Sequence, residues 1–307
     1  MNKDLLKMGN LSKEEILDIL NLADQLKYEQ KHNIEHHHLK GKSLGLIFEK
    51  SSTRTRVSFE VGMYQLGGCP LFLSSKDLQI GRGEPIQDTA RVLSRYLDGI
   101  MIRTFSQKEV ETLASCSSIP IINGLTDDEH PCQVLADLMT IRENKKILEG
   151  LNVAYIGDGN NMANSLIIGC LTVGMNISVA SPTGYSPSNY YIENGNEIAK
   201  SNGLNFKITT SPEEAVKNAD VVITDVWASM GQEVEQKERI KAFHGFKVDS
   251  KLMELAKDDA IVLHCLPAHR EEEISAEILE KHSDTIFNES ENRLHAQKAV
   301  LVKLLKI

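Results

Sequence analysis

The chain has 307 residues, 41% hydrophobic and 25% charged, which predicts a globular protein of roughly two domains of about 150 residues each. A formal charge of -9 and an isoelectric point near 5.6 argue against a nucleic-acid partner, because a phosphate backbone needs a basic face; local arginines in an acidic chain suit a small anion. No apolar run approaches the ~18 residues of a membrane span, and Met1-Asn2-Lys3-Asp4-Leu5 does not read as a signal peptide, so the expectation is a cytoplasmic protein away from membranes.

In chain order, Glu35-His36-His37-His38 comes first, with the composition of a metal tract. Three consecutive histidines cannot share one helical or strand face, so a solvated loop or helix end is the simpler reading. A strand is predicted over 43–49, and a helix from Val57 to Leu66 that stops at Gly67-Gly68. Between them lies Ser51-Ser52-Thr53-Arg54-Thr55-Arg56, three kinds of group that favour an anion at a helix N-terminus: hydroxyls, guanidinium and unsatisfied backbone N–H. Arg54 and Arg56 stand about 200° apart on a helix of ~3.6 residues per turn, so Arg54 is the candidate ligand and Arg56 a supporting residue. An ordinary Ser/Thr cap with two solvated arginines remains the alternative.

The glycine-bearing stretch from Lys76 to Glu84, with Gln79 and Arg82, has the character of a ligand-covering or subunit-bridging loop. Glu84-Pro85 opens a helix to about Leu97, His130-Pro131 one to about Asn144, and Ser211-Pro212 a third, each with proline near its start. Further strands are predicted over 99–103, 119–124, 152–157, 176–181, 204–208, 220–225 and 260–265, and a last amphipathic helix from about Arg293 to Leu305. This alternation predicts an α/β protein of two domains, each a mainly parallel sheet flanked by helices. The expected division is 1–146, joined by a C-terminal helix of about 290–307, and 147–289. Reactive residue types follow strand ends: Ser51 to Thr55, Arg103, His130, Asp158 to Asn161, Asp225 and His264-Cys265. Ligands of open α/β sheets bind there, so an active site in the cleft between the domains is expected.

Each candidate has a plainer reading. Gly157-Asp158-Gly159-Asn160-Asn161-Met162 carries methionine where a dinucleotide fingerprint needs its third glycine, leaving a tight turn that aims Asn161 at a ligand. His130 could donate to a carbonyl or cap its helix. Asp225 precedes a glycine-containing loop that could close over a ligand, or a turn anchored by Trp227, the single tryptophan. Cys265 could be inert core, and a His264/Cys265/His269 metal site would be short of ligands. Five scattered cysteines without C-x-x-C spacing indicate neither disulfides nor a zinc knuckle.

Together, Ser51 to Arg56, Lys76 to Glu84, His130 to Gln133, Asp225 to Gly231, His264 to Pro267 and Glu291-Asn292-Arg293 resemble the aspartate/ornithine carbamoyltransferase family, over nearly the whole chain. Asp-x-x-x-Ser-Met-Gly and His-Cys-Leu-Pro are its ornithine-type signatures. The resemblance implies a carbamoyl-phosphate domain and an ornithine domain, assembled as a homotrimer or a multiple of trimers, with no metal and no cofactor. Ser52, Thr53, Arg54, Thr55, Arg103, His130 and Gln133 would hold carbamoyl phosphate, with Gln79 reaching a neighbouring subunit's site. Asn161, Asp225, Ser229 and Met230 would hold L-ornithine. Cys265 and Leu266 would sit where the substrates meet, Cys265 as proton acceptor, and Arg293 would contact the carbamoyl group. Arg54, Arg103, His130 and Cys265 would carry the catalysis. Transfer needs a neutral amine, and at a lysine-like pKa of ~10.4 that form costs about 4 to 5 kcal/mol at pH 7. Rival readings are another acceptor amine, a dinucleotide-dependent oxidoreductase and a non-catalytic phosphate sensor.

Overall fold

The computed structural model describes residues 3–75, 78–79, 83–228 and 235–306. The chain divides into two compact units, one of Met1–Met139 with Asn292–Ile307 and one of Thr140–Glu291.

The first unit runs α1 (Lys13–Lys31), β1 (Ser43–Phe48), α2 (Thr53–Gln65), β2 (Cys69–Ser74), α3 (Ile86–Leu93), β3 (Gly99–Arg103), α4 (Gln107–Cys116), β4 (Ile121–Leu125) and the start of α5 (Pro131–Lys145). Its sheet is all-parallel in the order β2-β1-β3-β4. β3 is buried at every position and β1 at all but its first, as expected of parallel strands covered on both faces. Ile47, Ile100, Ile102 and Ile121 meet Val110 and Leu113 of α4 in one apolar cluster.

The second unit continues with β5 (Asn152–Ile156), α6 (Asn161–Thr172), β6 (Asn176–Ala180), α7 (Asn189–Asn202), β7 (Phe206–Thr209), α8 (Pro212–Val216), β8 (Val221–Thr224), α9 (Gln236–Ala242), α10 (Ser250–Met253), β9 (Ile261–His264), α11 (Ala276–Lys281) and α12 (Ser283–Leu305), whose second half belongs to the first unit. Its parallel order is β7-β6-β5-β8-β9. Trp227, Phe243, Phe246 and Val262 lie in its core, with Trp227 stacked on Phe243 at 5.7 Å between ring centroids.

α2 begins at Thr53 rather than Val57, and three further elements depart from expectation. β2 was not foreseen: it is a half-exposed edge strand carrying Pro70, and an edge is where a strand tolerates the missing N–H. α3 starts at Ile86, with Pro85 as its cap, and ends at Leu93 rather than Leu97. α12 begins at Ser283 rather than Arg293; in the part before Arg293, Glu289 and Asn292 face inward and hide the apolar period.

Candidate active site

In the first unit β1 is flanked by β2 on one side and β3 on the other, so its carboxyl end lies at the point where the strand order reverses. The chain leaves β1 into the N-terminus of α2, while β3 ends beside it on Arg103; the Glu49 N–H donates to the Arg103 carbonyl at 2.9 Å. Ser52 caps α2, its hydroxyl accepting from the Thr55 N–H at 3.2 Å. Thr53 is exposed, Arg54 half-buried and Thr55 fully buried. An Arg293 Nη2 donates to Thr55 Oγ1 at 2.7 Å, which brings α12 to this helix end. Arg56 points elsewhere, paired with Glu60 at 3.0 Å and lying 3.6 Å from the Phe72 ring centroid, so it is a structural cation.

His130 precedes α5, and its carbonyl accepts from the Gln133 and Val134 N–H groups. Its imidazole is buried, and burial, then Arg293, Arg103 and Arg54, hold its pKa well below the usual 6.5. A neutral imidazole among three guanidinium groups at a helix N-terminus suits an oxyanion with an attached carbonyl: the cations take the charge and an imidazole N–H can donate. Gln133 Nε2 donates to Asp137 Oδ1 at 2.8 Å, both buried. Cys132, beside them, is inert core, its thiol pushed up to about 12 by burial. Lys50, not singled out from sequence, is buried, pairs with Asp127 and lies 4.3 Å from the Phe105 ring centroid, tying the end of β1 to the loop before His130. Gln79 is exposed, and Arg82 lies outside the described residues.

In the second unit the order reverses at β5, between β6 and β8. Gly157 follows β5 with φ +151, and a Cβ on Gly159 would stand 2.1 Å from Pro187 N, so the turn requires glycine. Asn160 caps α6: its Oδ1 accepts from the Met162 N–H at 2.9 Å and from the buried Tyr155 hydroxyl at 3.3 Å. Its Nδ2 donates to Asp225 Oδ2 at 3.2 Å, orienting the carboxylate from across the switch point. Asn161 is the first residue of α6 and half-buried.

Asp225 Oδ1 accepts from the Val226 N–H at 2.8 Å and from Cys265 Sγ at 3.0 Å, so the thiol proton is directed at the carboxylate. The adjacent His264 is fixed by two contacts. The Leu266 N–H donates to its Nδ1 at 2.9 Å, which leaves Nε2 protonated and donating to buried Glu273 at 3.0 Å. Leu266 has φ +55, a left-handed conformation that helps direct the chain immediately after Cys265. Ligand atoms of Asp225, His264 and Cys265 lie within 4.8 Å of one another, but both ring nitrogens of His264 are engaged, and His269 belongs instead with Glu272 and Glu273. Arg239 donates to Asp158 Oδ2 at 2.7 Å and to the Trp227 carbonyl at 2.8 Å. Burial raises the Asp158 pKa, with Arg239 opposing. Ser229, Met230 and Gly231 lie outside the described residues.

Sequence reading therefore found the charged and reactive residues at strand ends, Asn160 among them without its role, and missed Tyr155, Glu273, Asp137 and Arg239; the Asn160–Asp225 and Arg239–Asp158 pairs join residues distant in sequence. The cap signal at Asn160 was available: a short polar residue directly before an apolar helix.

The model of the aspartate/ornithine carbamoyltransferase carbamoyl-P binding domain matches residues 3–143, and that of the Asp/Orn binding domain residues 149–304. The ornithine carbamoyltransferase of Carboxydothermus hydrogenoformans is 56% identical over 303 residues, 99% of this chain and 97% of its own. That of Bacillus subtilis is 54% identical, covering 99% of this chain and 94% of its own. Among solved structures, the Pyrococcus furiosus ornithine carbamoyltransferase has a TM-score of 0.94 at 50% identity, covering 98% of this chain and 96% of its own. The anabolic ornithine carbamoyltransferase of Campylobacter jejuni has a TM-score of 0.94 at 46% identity, covering 99% of both. With both domain models matched and identities at this level along the whole length, the chain belongs to the aspartate/ornithine carbamoyltransferase family.

Proposed function

We propose that the protein transfers the carbamoyl group of carbamoyl phosphate to the side-chain amine of L-ornithine, giving L-citrulline and phosphate. The observation that carries this reading is a pair of polar sets at strand-order reversals: a cationic one at the N-terminus of α2 and an Asp225–Cys265 pair in the other unit. The domain assignment follows: carbamoyl phosphate on residues 1–146 with the C-terminal helix, ornithine on 147–289.

Arg54, Arg103, the hydroxyls of Ser52, Thr53 and Thr55, and the first N–H groups of α2 hold the phosphate and stabilise it as it leaves. His130, Arg103 and Arg293 polarise the carbamoyl oxygen and Gln133 and Leu266 orient the group. Asp225, with Asn161, Ser229 and Met230, receives the amino-acid end of ornithine. The δ-nitrogen forms a bond to the carbonyl carbon, the carbon–oxygen bond to phosphate breaks, and the amine loses a proton. Cys265 takes that proton, and its own has Asp225 Oδ1 as an acceptor 3.0 Å away.

Gln79 reaches the site of a neighbouring subunit in a homotrimer. Exposed apolar residues on one side of the sheet support such an assembly: Val57, Val61 and Tyr64 on α2 with Phe72 on β2, which packs beside Arg56 of α2. The five cysteines, all outside disulfides, fit a reducing cytoplasm, and similarity to an anabolic enzyme supports a place in arginine biosynthesis.

The test offers carbamoyl phosphate with L-ornithine, L-aspartate, putrescine or N-acetylornithine and measures ureido product and phosphate. Citrulline from ornithine, in equal amount to phosphate, supports the reading; faster turnover of another amine would overturn the acceptor half.

A further inference from the structure

The histidine tract after α1 has no part in the chemistry above, yet one of its members turns inward. Lys298 of α12 is fully buried, and its Nζ meets His36 Nε2 at 2.9 Å, Gln65 Oε1 at 3.0 Å and Gln30 Oε1 at 3.4 Å. His36 Nδ1 lies 2.8 Å from the Ile34 carbonyl, which can only accept, so Nδ1 carries the ring proton and Nε2 is an acceptor. Three acceptors thus meet the three N–H bonds of one ammonium. Gln30 is in the last turn of α1 and Gln65 ends α2, where the negative ends of the helix dipoles favour a cation. Burial nevertheless pushes the Lys298 pKa down to about 8, with Glu29 opposing, so the contact is held at an electrostatic cost.

The same two helices touch at three levels. Arg293 bonds Thr55 near the start of α2, Lys298 bonds Gln65 at its end, and between them Gly62 leaves room for α12: a Cβ there would stand 3.1 Å from Lys298 Cγ and 3.4 Å from Leu294 Cδ1. An ammonium with three fixed acceptors sets both the rotation and the axial register of α12, which an apolar contact would leave free to slide. We propose that Lys298 is a positioning residue for carbamoyl-phosphate binding: it locks α12 along α2 so that Arg293 is presented to the helix N-terminus. The inference rests on the phosphate reading of that N-terminus.

The test titrates wild type, K298M and Q65L with phosphonoacetamide, a non-hydrolysable analogue of carbamoyl phosphate, and repeats K298M in an R293Q background. Wild type is expected to bind, K298M to bind about tenfold more weakly through misplacement of Arg293, and Q65L to change in the same direction by less. In R293Q, K298M is expected to add little, because the group it positions is gone. Wild-type affinity in K298M, or an undiminished loss in the R293Q background, would overturn the inference alone. Failure of wild type to bind would overturn the phosphate reading and the inference with it. Should K298M not fold, Q65L in both backgrounds carries the same two outcomes.

Discussion

At the scale of single residues, the second unit shows how a carboxylate is prepared for one job. Asp225 is held on both oxygens, by Asn160 on one and by Val226 N–H and the Cys265 thiol on the other, so its direction is set before a substrate arrives. Cys265→Ser keeps a hydroxyl donor to Asp225 but is a far poorer proton acceptor. It should lower kcat by about a hundredfold or more while leaving carbamoyl-phosphate binding nearly intact, and unchanged turnover would remove the proton-acceptor role. His130 makes a pH prediction. Its folded pKa is depressed, so below the unfolded value of 6.5 the unfolded chain binds a proton that the folded chain refuses. Its contribution is complete above that value and is lost as pH falls toward the folded one. H130Q cannot titrate, so its urea midpoint should drop less than that of wild type between about pH 7.5 and about pH 5.5. An equal drop would place the acid sensitivity elsewhere. These residues were legible in part: a charged or reactive type at a strand's carboxyl end announces itself. The partners that aim them, Asn160 for Asp225 and Glu273 for His264, do not, because the pairing exists only after the chain has folded.

At the scale of elements, short strand-to-helix turns set the geometry. The turn after β5 has no room for a side chain at Gly159, whose Cβ would stand 2.1 Å from Pro187 N and 2.2 Å from Ser186 C. Both are backbone atoms and cannot rotate away. Gly159→Ala should destabilise the protein by about 2 to 3 kcal/mol, read as a lower urea midpoint, and a wild-type midpoint would show that the turn yields. Strands covered on both faces were legible as unbroken apolar runs, and helix starts as Ser or Pro at the boundary. β2 escaped because its side chains are half in solvent and Pro70 interrupts the pattern. The first half of α12 escaped because its inner face is polar, and the same inversion hid Lys298, a wholly buried cation in a segment that reads as amphipathic surface.

At the scale of the whole molecule, two sheets with different strand orders obey one rule: the chain puts its charged and reactive residues after the carboxyl ends of the strands, with those after β1 and β5 where the order reverses. The first unit concentrates guanidinium groups there within a chain of net charge -9, so the positive potential at that strand end is local and owes nothing to a generally basic surface. The second concentrates a carboxylate and a thiol. No described helix is long and apolar enough to cross a membrane. This overall plan was legible in advance, since alternation of strand and helix and the position of the reactive residues are both properties of the sequence. The division of labour it implies is one substrate per unit, and steady-state kinetics of Arg54→Gln and Asp225→Asn tests it most directly. Expected is a rise of about a hundredfold in KM for carbamoyl phosphate in R54Q with the ornithine value within about threefold of wild type, and the reverse in D225N. Equal rises for both substrates in each variant, or wild-type kinetics in either, would contradict it.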